Sequence, residues 1–156
     1  MKILVYTAIF GDKDQGPSLI NKDLLPDLDI RFVYVSDNPH LKSSDYEFIY
    51  QAQRYSDVTK NARYVKVNGL NGMAIYDIAI WHDSSIMLDC ARISEIIEIA
   101  ANHTLSTFKH VQHSVYSEDR KCIELGKVEE SALLARFPEF PLRHDDFVYL
   151  YVMAQK

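Results

Sequence analysis

The stretch Ala74–Leu88, AIYDIAIWHDSSIML, decides how the chain folds: an apolar run stops at Trp81-His82-Asp83-Ser84-Ser85 and then turns apolar again. A strand covered on both faces reads as a continuous apolar segment. A carboxylate has no place in such a core, so Asp83 marks where the strand leaves the sheet and meets solvent or a ligand. Residues 73–81 are therefore expected to form a buried strand with a polar mouth.

Working towards the N-terminus, KILVYTAIF (2–10) and DIRFVYVSD (29–37) are further β-branched, apolar runs of the same type. The first breaks at Gly11-Asp12 and opens a loop, GDKDQGPS; the second ends in Ser36-Asp37 before Pro39. YEFIYQA (46–52) is a short third strand. Ser56 is the expected cap of a helix carrying Val58, Ala62 and Val65 at i, i+4 and i+7, closed by Asn68-Gly69 and Asn71-Gly72.

Towards the C-terminus, Asp89 or Ser94 starts a helix with Ile93, Ile96, Ile97 and Ala100 on one side, and TLSTFKH (104–110) is a shorter strand. Ser117-Glu118 opens a further helix, another lies near EESALLARF (129–137), and Phe147, Leu150, Tyr151 and Ala154 make one face of a last helix. Its aromatic surface (Phe147, Tyr149, Tyr151) suggests a possible homodimer contact.

Strands alternating with helices imply an α/β layered domain with a mainly parallel central sheet. Ligands of such sheets bind outside the carboxyl ends of the strands. Three polar sets fall there: Gly11-Asp12, Ser36-Asp37 and His82-Asp83-Ser84-Ser85.

The chain has 156 residues, 47% of them hydrophobic, which suits one globular domain with a sizeable core. A net charge of −5 without a Lys/Arg run offers no general attraction to nucleic acid or an anionic membrane. Cys90 and Cys122 form no C-x-x-C and suit reduced thiols, hence a cytoplasmic setting. The opening MKILVYTAIF reads as a first strand rather than a signal peptide, and no segment is long enough to span a membrane. P-loop, G-x-G-x-x-G, G-x-S-x-G and H-E-x-x-H patterns are all missing from the sequence.

Asp83 with Ser84 and Ser85 offers hard oxygen ligands to Mn²⁺ or Mg²⁺, or else Asp83 caps the next turn. His110 and His113, three apart after the TLSTF strand, either complete a metal site or stand on the surface. Arg63 and Lys66 share a helix face and either neutralise a diphosphate or form a solvated face.

YTAIFGDKD, FVYVSD, NARYVKV, YDIAIWHDSS and FKHVQHSVYSE follow one another in an order that resembles the TOD1/MUCI70-type glycosyltransferase-like domain, formerly a domain of unknown function. That group is itself similar to GT-A glycosyltransferases. The likeness covers roughly residues 1–130. It implies a GT-A-like (Rossmann-like) three-layer α/β/α fold, one nucleotide-sugar-binding domain over 1–156 with a short or truncated C-terminal acceptor part, and a UDP-sugar as the donor. WHDSS then resembles the D-x-D position, with Asp83 as first acid and Ser85 in place of the second; His110 matches a downstream histidine that supports the ion. The resemblance further implies that Thr7, Ala8, Gly11 and Asp12 line the nucleotide pocket, that Ser36-Asp37 stands near the base, that Arg63 and Lys66 face the donor's phosphates or sugar, and that Glu118 serves the acceptor or donor sugar. Transfer with inversion needs a carboxylate base, for which Glu118 and Asp119 are the candidates; transfer with retention needs none. Candidate acceptors are a glycan, a protein, a lipid-linked sugar or a modified nucleic-acid base. Two other readings remain: a metal-dependent phosphohydrolase or nuclease built on Asp83, His110 and His113, and a non-catalytic nucleotide-sugar-binding module.

Overall fold

The computed structural model describes residues 1–12, 15–109, 122–126 and 149–154, with backbone alone at 107–109 and 149–154. The chain divides into two compact units, Met1–Ser106 with Tyr151–Lys156, and Thr107–Leu150. The first of these holds the sheet and both helices considered below.

Its elements are β1 (Lys2–Ile9), β2 (Leu19–Ile20), β3 (Asp29–Ser36), β4 (Glu47–Tyr50), α1 (Val58–Asn68), β5 (Ile78–Trp81), β6 (Leu88–Asp89) and α2 (Ile93–Asn102). Strand β7 (Leu105–Lys109) follows α2, and β8 (Tyr149–Ala154) is the last element. The main sheet begins in the order β4-β3-β1-β5 and continues to β8. The first four strands are mutually parallel, with Thr7 beside Tyr34, Ile9 beside Ser36 and Tyr6 beside Trp81. β8 runs antiparallel to β5, with Ala79 opposite Met153. A separate parallel pair joins β2 to β6.

Period-two alternation gives the sheet two apolar faces, and each receives a helix. Leu4, Tyr6, Ala8, Val33, Val35, Ala79 and Trp81 pack with Val65 of α1. Ile3, Val5, Phe32, Tyr34, Ile78 and Ile80 pack with Ile93, Ile97 and Ala100 of α2. β1 is buried along its whole length after Lys2, which is why its sequence shows no polar alternation.

Three expectations are corrected. Residues 149–154 form a strand, not the last turns of a helix. A short run of Tyr, Leu, Val and Met satisfies both periodicities, and here the open edge of β5 supplies the backbone partners that make it a strand. The homodimer contact argued from an aromatic helix there loses its basis.

The strand expected over 73–81 covers only Ile78–Trp81. Gly72 takes a left-handed conformation (φ 79°) and starts a 3-10 turn at Met73–Ile75. Asp77 then exchanges backbone and carboxylate hydrogen bonds with Lys2, which aligns the start of β5 with β1.

The cap of α1 is Asp57, not Ser56: its carboxylate accepts from the amides of Thr59 (2.8 Å) and Lys60 (3.4 Å). The closing Gly69 is as the sequence suggests, with φ of 70° and its amide bonded to the Val65 carbonyl. Among the described residues no helix is long and apolar enough to cross a membrane.

Candidate functional site

Because β1, β3, β4 and β5 are parallel, their carboxyl ends gather along one edge of the sheet. The chain first builds outward from β1 to β3 and β4, then returns through α1 to lay β5 on the other side of β1. This reversal of strand order falls between the carboxyl ends of β1 and β5, the kind of position where open α/β sheets hold ligands. Phe10-Gly11-Asp12 leave the sheet on one side of it and His82-Asp83 on the other.

Alternation continues past the end of β5, so Trp81 and Asp83 point to the α1 face. Asp83 Oδ1 accepts from the Trp81 indole N–H at 3.0 Å and stands 3.5 Å from Lys66 Nζ. The Lys66 ammonium also lies 5.8 Å from the centre of the Trp81 ring, and Tyr6 packs edge-on against that ring at 5.2 Å. The Tyr6 hydroxyl bonds the Lys66 carbonyl (3.4 Å), which fixes α1 against β1. Burial pushes the Tyr6 phenol up to about 12, so it stays a neutral donor. The Asp83 side chain is 45% exposed and that of Lys66 20%, so the carboxylate opens to solvent while its counter-charge lies deeper.

His82 points the other way, towards α2, and is 4% exposed. Its Nε2 lies 3.0 Å from the Tyr46 hydroxyl and its Nδ1 3.1 Å from the Asp83 carbonyl. Burial lowers its affinity for a proton, although nearby carbonyls and the Asp83 charge oppose that shift.

The loops after β1, β3 and β4 are tied together by Asp37. One carboxylate oxygen accepts from the Gly11 amide (2.9 Å) and the other from Gln53. Partial burial works to raise the Asp37 carboxyl, but bonds from Gln53, Gly11 and its own amide outweigh it and hold the group below the usual carboxylate value. Gly11 has φ of 69°, and a Cβ there would come within 3.0 Å of Val58 Cγ1. The first turn of α1 therefore sits against this loop, which needs glycine.

The residues singled out from sequence fall as follows. Asp83 and Lys66 are brought together. Arg63 is exposed on α1, without a hydrogen bond or ion pair among the described residues, while Lys66 three residues later turns inward. Gly11 and Asp37 meet directly; Asp12 is exposed and accepts from Asn38 (3.2 Å). Thr7 and Ala8 are buried within β1 at 0% and 3% exposure, below the rim. The Thr7 hydroxyl has no hydrogen-bond partner among the described residues. Ser84 and Ser85 are the centre of a turn closed by the Ile86 amide on the Asp83 carbonyl (2.9 Å), and Ser85 is exposed. His110, His113, Glu118 and Asp119 lie outside the described residues.

Sequence reasoning placed Trp81 and His82 in the polar mouth of the strand but gave neither a role, and it passed over Tyr46 and Gln53. Trp81 carried a signal, since i and i+2 on a strand share a face. His82 carried half of one, a polar residue at an inward position. Tyr46 and Gln53 carried none, because their partners stand 36 and 16 residues away.

The edge thus offers a half-exposed carboxylate whose Oδ1 is held by Trp81 and Lys66, and, at the end of β1, a glycine loop tied to Asp37. Among the described residues no group of three His, Cys, Asp or Glu could hold a metal ion by itself. No family model, curated protein or solved structure matches the chain.

Proposed function

We propose that the chain is a GT-A-like glycosyltransferase that takes a sugar from a nucleoside-diphosphate donor, a UDP-sugar, with Mn²⁺ or Mg²⁺ as helper ion. The observation that carries this reading is Asp83 at the reversal of strand order, half exposed, with Lys66 fixed 3.5 Å away. The parallel β4-β3-β1-β5 order with a helix packed on each face supports the finer, three-layer reading of the fold.

Mg²⁺-type ions commonly bind through one or two carboxylates and fill the remaining positions with water and phosphate oxygens. A single open carboxylate such as Asp83 fits that habit better than a dedicated protein cage would. Asp83 would hold the ion, and the exposed Ser85 hydroxyl is at best a weak supplement. When bound, the ion supplies positive charge to the diphosphate.

The chain's own residues act around that point. Negative charge grows on the leaving diphosphate as the glycosidic bond breaks, and Lys66, anchored by its pairing and by the Trp81 ring, offers fixed positive charge near it. Arg63, on the same helix and exposed, can reach a donor phosphate from outside. The Asp37 clamp holds the Gly11 loop in place at the carboxyl end of β1, where its backbone would border the donor. For transfer with inversion, Glu118 or Asp119 is the proposed base for the acceptor hydroxyl, and a glycan, protein, lipid-linked sugar or modified base remains the proposed acceptor.

Thermal unfolding with UDP, GDP or CDP, each with and without Mn²⁺, tests the reading. One diphosphate should raise the midpoint only when the metal is present, by about 2.7 kcal/mol of stabilisation at a hundredfold excess over Kd. Asp83→Ala should abolish the response. No metal-dependent response to any of the three would remove the donor site, and phosphodiester hydrolysis that depends on Asp83 would favour the hydrolase instead.

A further inference from the structure

The buried pair of Tyr46 and His82 lies on the far side of the sheet from Lys66, yet it ends on Asp83. A main-chain carbonyl only accepts, so the 3.1 Å contact between His82 Nδ1 and the Asp83 oxygen requires a proton on Nδ1. A neutral ring then leaves Nε2 as an acceptor, and the Tyr46 hydroxyl 3.0 Å away donates to it. The order of donors is thereby fixed: Tyr46 hydroxyl to Nε2, Nδ1 to the Asp83 carbonyl.

That carbonyl takes a second bond, from the Ile86 amide at 2.9 Å, which closes the turn over Ser84 and Ser85. On the opposite face, Trp81 and Lys66 hold the same residue's Oδ1. Asp83 is gripped by its backbone from the α2 side and by its side chain from the α1 side, and that side chain stays 45% exposed. His82 and Tyr46 are 4% and 5% exposed, so neither reaches a ligand itself.

We infer that His82, locked in its Nδ1-protonated tautomer by Tyr46, is a positioning residue that sets the direction of the Asp83 carboxylate. Its consequence for donor binding rests on the function proposed above; its effect on the turn does not. Loss of the Nδ1 donor frees the peptide after Asp83 to rotate, and the carboxylate moves with it.

The test compares His82→Asn, whose amide nitrogen occupies the place of Nδ1, with His82→Gln, whose amide reaches only the place of Nε2. Long-range ¹H–¹⁵N correlation on the wild-type ring should show Nδ1 protonated and Nε2 bare. Exchange of the Ile86 amide should quicken about tenfold in His82→Gln relative to core amides such as that of Val5, and return to within about threefold of wild type in His82→Asn. Mn²⁺-dependent affinity for the stabilising nucleoside diphosphate should follow the same order, falling about tenfold and then recovering. An Nε2-protonated ring, or equal Ile86 exchange in the two variants, overturns the inference even if both variants lose global stability. Should the wild type bind no nucleoside diphosphate, the donor reading falls, and the exchange contrast alone still upholds or overturns the positioning role.

Discussion

Removing the Asp37 carboxylate is the sharpest probe of how the sheet edge is built. In Asp37→Ala the Gly11 amide loses a charged acceptor at 2.9 Å in a partly buried position, and Gln53 loses its partner at the surface. Hydrogen bonds to charged groups contribute about 1.5–3 kcal/mol where they are shielded, and exposed ones far less. The expected loss is about 2–3 kcal/mol, almost all of it from Gly11, or a midpoint about 4–12 °C lower for a chain of this size. Asp37→Asn keeps an oxygen for Gly11 and should cost only about 1 kcal/mol, and Gln53→Ala less than about 0.5 kcal/mol. The pH dependence has a definite sign. The folded Asp37 carboxyl lies below its unfolded value of about 3.9, so its contribution is complete above that pH and is lost as pH falls through the folded value. Urea unfolding at pH 7 and at pH 3 measures both effects. A cost for Asp37→Ala no larger than that of Gln53→Ala, or a gap between wild type and Asp37→Asn that widens below pH 4, would refute the clamp.

Other substitutions separate neighbouring roles. Asp57→Ala should cost about 1 kcal/mol by removing the cap of α1, whereas Ser56→Ala should stay within about 0.5 kcal/mol in the same denaturation assay. Thr7→Val replaces a buried hydroxyl that lacks a partner among the described residues with a methyl of the same shape. It should raise stability by about 1 kcal/mol, and a loss would expose a bound water or ligand on that hydroxyl. Lys66→Met should leave stability within about 1 kcal/mol, because the pair with Asp83 is partly solvated, yet reduce the shift produced by Mn²⁺ and a nucleoside diphosphate. An unchanged ligand shift would place the phosphates away from α1.

The sheet strands were legible wherever burial on both faces wrote itself into local composition. KILVYTAI and the Phe32–Val35 part of DIRFVYVS are continuous apolar runs, and the structure gives both segments as full strands. Helix α1 was legible through Val58, Ala62 and Val65, but its cap was not, because Ser56 and Asp57 are equally good N-cap types and only backbone geometry chooses between them. Tyr149–Ala154 was misread because six residues that suit either period take their structure from whatever edge is vacant.

By itself the amino-acid order determined that this is an α/β chain with polar residues at strand mouths, since hydropathy patterning is local and every residue carries its own share of it. It also determined that Asp83 ends a core strand. Only the tertiary structure decided what Asp83 meets. Lys66 stands 17 residues before it and Tyr46, which acts through His82, 37 before, and no periodicity spans those distances. Their meeting depends on β5 lying next to β1 rather than next to β4, and on the alternation of the strand sending His82 and Asp83 to opposite faces.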